Sequence, residues 1–103
     1  MSVPLNKNTI LQTIAANKQQ LEDFGVIKIG LFGSFVRNQA NDSSDIDFLV
    51  DIAKDRKTFK NFMTLNYYLE DLFGRKVDLK TMQSLSPYIG PHILKSTEYV
   101  SME

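Results

Sequence analysis

Between positions 7 and 23 apolar side chains recur at helical spacing. Ile10, Ile14 and Leu21, flanked by Leu11 and Ala15, form a stripe that predicts a helix over Lys7–Asp23. Thr9 followed three residues later by Gln12 has the form of a capping box, and Gly25 stands where a helix stop is expected. The run Val26-Ile27-Lys28-Ile29-Gly30-Leu31-Phe32 is short, apolar and β-branched, which predicts a buried strand ended by Gly33-Ser34. At 45–52 the pattern changes to alternation: Ile46, Phe48, Val50 and Ile52 interleave with Asp45, Asp47, Leu49 and Asp51. Alternate residues of a strand face opposite sides, so one face packs on a core while the other carries carboxylates.

A second helix is expected over Arg56–Phe73, with Phe59, Phe62, Met63, Leu69 and Phe73 on one side and Gly74 as its stop. Lys76–Lys80 reads as a third strand, Val77 and Leu79 turned inward and Asp78 alone on the polar face. After Pro87, Tyr88–Lys95 is expected to form a short helix and Glu98–Val100 an edge strand. Helices alternating with strands indicate an α/β (α+β) sheet domain.

Composition narrows the class. A chain of 103 residues suits one domain spanning 1–103, and 43% hydrophobic with 23% charged residues is ordinary for a globular protein. The 12 basic and 12 acidic residues cancel, which argues against nonspecific nucleic-acid binding. A local polyphosphate site remains open, with bound cations supplying positive charge. The absence of cysteine removes disulfides, thiolate metal sites and cysteine nucleophiles. Met1–Asn6 lacks the basic and apolar regions of a leader, and the longest apolar stretch, around Val26–Val36, is interrupted and far short of the ~20 residues needed to span a bilayer. A cytoplasmic protein without membrane contact is expected.

The chemistry concentrates in a few positions. Carboxylates at i and i+2 on a strand point the same way, so Asp45 and Asp47 would lie ~6–7 Å apart along it. Asp78, from a neighbouring strand, is the candidate third group. Oxygen ligands with no His or Cys nearby favour Mg²⁺, with Mn²⁺ as the alternative, over zinc. Two ions ~3.5–4 Å apart would suit an in-line phosphoryl displacement. Gly33 permits close backbone approach to a ligand. Ser34-Phe35-Val36-Arg37 then reads as the first turn of a short helix, a site for anions. Ser34 can donate its hydroxyl to phosphate, and Arg37, three residues on, shares that helical face.

Taken alone, two aspartates near a strand end are more often a solvated face, and a Gly-Ser step more often a capped turn. The joint pattern decides. An apolar residue, Gly-Ser, ten residues, then Asp-apolar-Asp-apolar arises in roughly one random chain of this length in several hundred.

The segments Gly33-Ser34-Phe35-Val36-Arg37, Ser43-Ser44-Asp45-Ile46-Asp47-Phe48-Leu49-Val50 and Val77-Asp78-Leu79 resemble the polymerase-β-like nucleotidyltransferase superfamily, in particular its minimal nucleotidyltransferase (MNT) members. The resemblance implies a small mixed β-sheet flanked by helices. It also implies a Gly33-Ser34 turn, with Arg37, that holds a nucleoside triphosphate. Asp45, Asp47 and Asp78 would be metal-binding and catalytic, with two Mg²⁺ ions, Asp78 helping to deprotonate the acceptor. An acceptor hydroxyl attacks the α-phosphate and pyrophosphate leaves. Two positions depart from the pattern: many relatives have glycine where this chain has Asn38, and a polar residue or tyrosine where it has Phe35. Asparagine tolerates left-handed backbone, so the turn is expected to survive.

The larger members carry extra domains for base and acceptor that ~100 residues cannot supply. The chain is therefore expected to self-associate or to have its site completed by a partner. MNT proteins commonly pair with a HEPN-type helical protein as toxin and antitoxin, and can transfer AMP from ATP to a tyrosine of that HEPN ribonuclease. A small-molecule hydroxyl as acceptor, or silencing by occlusion without turnover, are the competing readings. Elsewhere, His92 is expected to be structural or superficial, Tyr67, Tyr68 and Tyr88 to pack, and Asp51 to lie at the surface. Lys54, Arg56, Lys57 and Lys60 read as a solvated face rather than a phosphate or partner contact.

Overall fold

A stretch expected as one helix divides at Asn17. In the computed structural model, which describes residues 5–41, 43–88 and 90–102, α1 (Lys7–Ala16) and α2 (Lys18–Asp23) are separate. Asn17 leaves helical geometry (φ −117°, ψ 25°) while its side-chain Nδ2 donates to Thr13 O at 2.8 Å and its side-chain Oδ1 accepts from the Tyr68 hydroxyl at 3.2 Å. Side-chain amides compete with the helical ladder in this way. The capping box also sits one turn earlier than expected. Asn6 Oδ1 accepts Thr9 N–H and Thr9 Oγ1 accepts Asn6 N–H, both at 2.9 Å. Met1–Pro4, on which part of the expectation of no leader rests, lie outside the described residues, as do Asp42, Ile89 and Glu103.

The strands follow the hydrophobic pattern closely. β1 (Val26–Phe32), β2 (Ile46–Ile52), β3 (Val77–Thr81) and β4 (Glu98–Val100) form one sheet in the order β3-β2-β1-β4. β1 is antiparallel to β2 and β4, and β2 is parallel to β3, so the sheet is mixed. A parallel neighbour requires a crossover, and α3 (Phe59–Phe73) provides it. Thr58 caps α3 by accepting Asn61 N–H at 3.1 Å, and Gly74 ends it in left-handed geometry (φ 61°). Arg56, expected to open this helix, instead ends a separate 3-10 turn, Lys54–Arg56. After β3 the chain runs through α4 (Gly90–Ser96) to β4; Tyr88 precedes the helix that was expected to contain it.

One face of the sheet carries Ile29, Leu31, Ile46, Phe48, Val50, Val77 and Leu79, all buried with Ile10, Ile14, Leu21, Leu65 and Leu69 of the helices. Phe62 and Phe73 join the α3 stripe, but Phe59, expected on the packed side, is 80% exposed. Tyr68 packs against Phe24, whereas Tyr67 and Tyr88 stand exposed rather than packed. The other face presents Asp47, Asp51, Asp78 and Lys80, with Leu49 and Phe32 buried among them. Among the described residues, no helix is long and apolar enough to cross a membrane.

Candidate active site

The end of β1 and the beginnings of β2 and β3 meet at one end of the sheet. Phe32 is the register partner of Asp47 on one side, and Asp78 is its partner on the other. Asp47 therefore stands between the Gly33 turn and Asp78. Asp45 lies just before β2, exposed, and its charge still reaches Asp47.

Gly33 is required twice over. Its φ of +79° disfavours any side chain, and a Cβ there would collide with Asp47 Oδ2. The backbone thus approaches the carboxylate to a distance only glycine allows. The expected helical turn is a 3-10 turn, Gly33–Phe35, extended by Arg37 N–H donating to Gly33 O at 3.2 Å and Gln39 N–H to Ser34 O at 2.9 Å. Asn38 takes the left-handed conformation (φ 56°), as expected of an asparagine that keeps the turn. Phe35 points into the core, which makes it packing rather than a nucleotide contact. Ser34 is half-buried in the turn; Arg37 is exposed, its Nε donating to Gln39 Oε1 at 3.0 Å rather than to a group of the carboxylate cluster.

The charges explain what this cluster can bind. Asp47 is pushed up to about 6, first by burial, then by the Asp78 charge, a hydrogen bond shared with the Asp78 carboxyl, and Asp45; Lys80 opposes the shift. Lys80 also corrects the expectation that Asp78 is alone on its face. Two residues along β3, its Nζ lies 2.8 Å from Asp78 Oδ2. Among the described residues no three or more His, Cys, Asp or Glu side chains are gathered closely enough to hold a metal ion as they stand. The donors are nonetheless all hard oxygens, and the repulsion from Asp78 and Asp45 that adds to the effect of burial on Asp47 is of the kind a divalent cation relieves, so the residues fit such an ion.

Two supporting residues escaped sequence reasoning. Arg75 Nη1 donates to Asn41 O at 3.0 Å and Ser44 O at 3.1 Å, holding the loop that leads into Asp45, and its guanidinium lies 5.5 Å from the Phe35 ring. Glu70 Oε2 accepts Val77 N–H at 3.1 Å and fixes the start of β3 next to Asp78. Within the loop, Asn41 Oδ1 accepts Ser43 N–H at 2.9 Å and Ser44 Oγ accepts Asn41 N–H at 2.9 Å. The position of Lys80 was readable from strand parity with Asp78; nothing local marks Arg75.

Comparison with known proteins points the same way. The family model described as a nucleotidyltransferase domain matches residues 12–100. A Thermococcus cleftensis relative named protein adenylyltransferase MntA is 41% identical over 97 residues, 93% of this chain and 97% of the relative. A solved structure described as a candidate minimal nucleotidyltransferase superposes with a TM-score of 0.74 at 26% identity, covering 94% of this chain and 98% of that one. A second, a toxin–antitoxin crystal structure with AMP-PNP, has a TM-score of 0.67 at 26% identity, covering 92% of this chain and 72% of the other. The matched span includes the glycine turn and all three aspartates, and this chain belongs to the nucleotidyltransferase family, among its minimal members.

Proposed function

We propose that the chain transfers AMP from ATP to a hydroxyl of a partner protein, and that it does so as the antitoxin of a toxin–antitoxin pair with a HEPN-type toxin. The observation that carries the chemistry is the contact of the Gly33 turn with Asp47 beside Asp78. Phosphates lying along that turn meet a paired carboxylate site. The choice of acceptor is supported by the adenylyltransferase name of the T. cleftensis relative and by the toxin–antitoxin neighbour with its ATP analogue.

In this reading the Gly33-Ser34 turn holds the triphosphate, with the Ser34 hydroxyl donating to it and Arg37 released from Gln39 to join. Asp45, Asp47 and Asp78 would hold Mg²⁺, two ions in the full site, which neutralise phosphate charge and stabilise the attacking and leaving oxygens. The acceptor oxygen forms its bond to the α-phosphorus as the bond to pyrophosphate breaks, and Asp78 is the group assigned to take the acceptor proton. Arg75 keeps the Asp45 loop in position throughout.

The test mixes the chain with Mg²⁺, each nucleoside triphosphate and the protein encoded beside its gene, and reads intact mass. Addition of one AMP to the partner, lost with Asp45→Asn or Asp47→Asn, is the expected result. A tight complex without any added nucleotide, indifferent to both substitutions, would mean occlusion. A nucleotide found only on a small hydroxyl compound would reassign the acceptor.

A further inference from the structure

The first turn of α3 carries a surface that transfer chemistry leaves unused. Phe59, 80% exposed, lines one of two grooves that share Thr58. One, about 360 Å³, has apolar walls from Ile52, Phe62 and Leu79; the other, about 410 Å³, runs past Phe24 and Asn61. Arg56 and Lys60 line the second groove together with one acidic residue, Asp23, Lys57 lines the first, and Lys54 and Asp55 adjoin them in sequence, so cations outnumber carboxylates here. Among the described residues none of these four cations has an acidic partner.

We propose that this surface docks an acidic amphipathic helix of the partner protein, at the opposite end of β2 from the carboxylates. Three observations carry it. An exposed phenylalanine lining a groove suits the anchor of an interface better than a solvated face, since aromatic side chains dominate interface energetics. The unpaired cations select a partner whose apolar stripe is bordered by Asp and Glu, by charge complementarity. The surface is also preorganised. Asn61 Nδ2 donates to Phe24 O at 2.7 Å and Arg56 O at 2.9 Å, and Ala53 N–H donates to Gly25 O at 2.7 Å, so little order has to be gained on binding.

Asp47 and Ile52 are five positions apart along β2, roughly 17 Å at ~3.3 Å per residue. A helix seated here leaves the transfer site open, so the same partner can be held and modified at once. The inference rests on the proposed function only in taking the partner to be a protein. The zero net charge and the apolar groove walls favour a protein over nucleic acid, which the test includes as a competitor.

Calorimetric titration of the protein encoded beside the gene into the full chain tests it, with Phe59→Ser and the double variant Lys57→Glu/Lys60→Glu. Each is expected to weaken the complex by about tenfold or more, the double variant with a flatter salt dependence, while binding of AMP-PNP with Mg²⁺ stays as in the wild type. All three positions are exposed, and unchanged thermal unfolding excludes misfolding. Wild-type affinity in both variants, or no wild-type complex, would overturn the proposal. So would single-stranded RNA binding that these substitutions abolish while the protein complex persists. Failure of the catalytic reading has a different signature: no AMP transfer within an intact complex.

Discussion

Lys80 Nζ sits 2.8 Å from Asp78 Oδ2, and Asp78 is the register partner of Asp47. The chain thus carries its own cation beside the carboxylates expected to hold Mg²⁺. It lowers the proton affinity of Asp47 against the combined push of burial, Asp78 and Asp45. Such a counter-ion steadies the metal-free site and competes with incoming metal.

Lys80→Met should therefore separate the two effects. Half-exposed ion pairs contribute about 0.2–1 kcal/mol, so unfolding in EDTA should move a few degrees lower while Mg²⁺ binds about two- to fivefold more tightly. Calorimetric Mg²⁺ titration checks this, and weaker binding by the variant would show that Lys80 supports the bound cation instead.

The raised Asp47 has a pH signature. Its folded-state pKa, about 6, lies above the ordinary value of 3.8, so the folded chain binds more protons across that interval. Its contribution to stability then falls as pH rises from about 4 to 6 and levels off above. Solvent screening of this half-exposed group limits the effect to on the order of 1 kcal/mol. Asp47→Asn should melt a few degrees higher than wild type at pH 8 in EDTA, with the difference shrinking towards pH 4. Parallel melting curves across that range would remove the repulsion from the account.

The alternation at 45–52 made β2 and its carboxylate face legible, because period two is enforced wherever one face is buried. The Gly33 turn was legible because positive φ and close approach both demand glycine. The break at Asn17 was not, since it depends on bonds to Thr13 O and to Tyr68, 51 residues away. Phe59 fits the helical stripe of α3 yet is exposed, because periodicity gives direction around a helix but not where the covering sheet ends. Lys80 and Asp78 share a face by parity alone, so that pair is legible in the sequence.

Two left-handed glycines allow strain to be separated from contact. Gly33 and Gly74 have φ of 79° and 61°, but a Cβ at Gly74 meets nothing within 4 Å whereas one at Gly33 strikes Asp47. Gly74→Ala should lose about 1 kcal/mol of stability with transfer activity intact. Gly33→Ala should lose at least as much, and about a hundredfold in transfer rate, because the Asp47 carboxylate must move. Equal rates in the two variants would mean that the approach of Gly33 to Asp47 is packing without catalytic consequence.

Arg75 supplies the last expectation. Its Nη1 bonds to Asn41 O and Ser44 O reach back 34 and 31 residues, closing the loop just ahead of Asp45. Among the described residues the loop's internal bonds are short-range and exposed, so ahead of the Ile46 N–H bond to Lys76 O it is Arg75 that ties the loop to the rest of the fold. Arg75→Ala removes both donors and the contact with Phe35, whereas β2 and β3 keep their own ladder. Transfer rate should fall about tenfold with a weaker response to Mg²⁺, and amide exchange should quicken over 41–45 but not in β2. A slow exchange pattern identical to wild type, with the same rate loss, would mean instead that Arg75 meets the nucleotide directly.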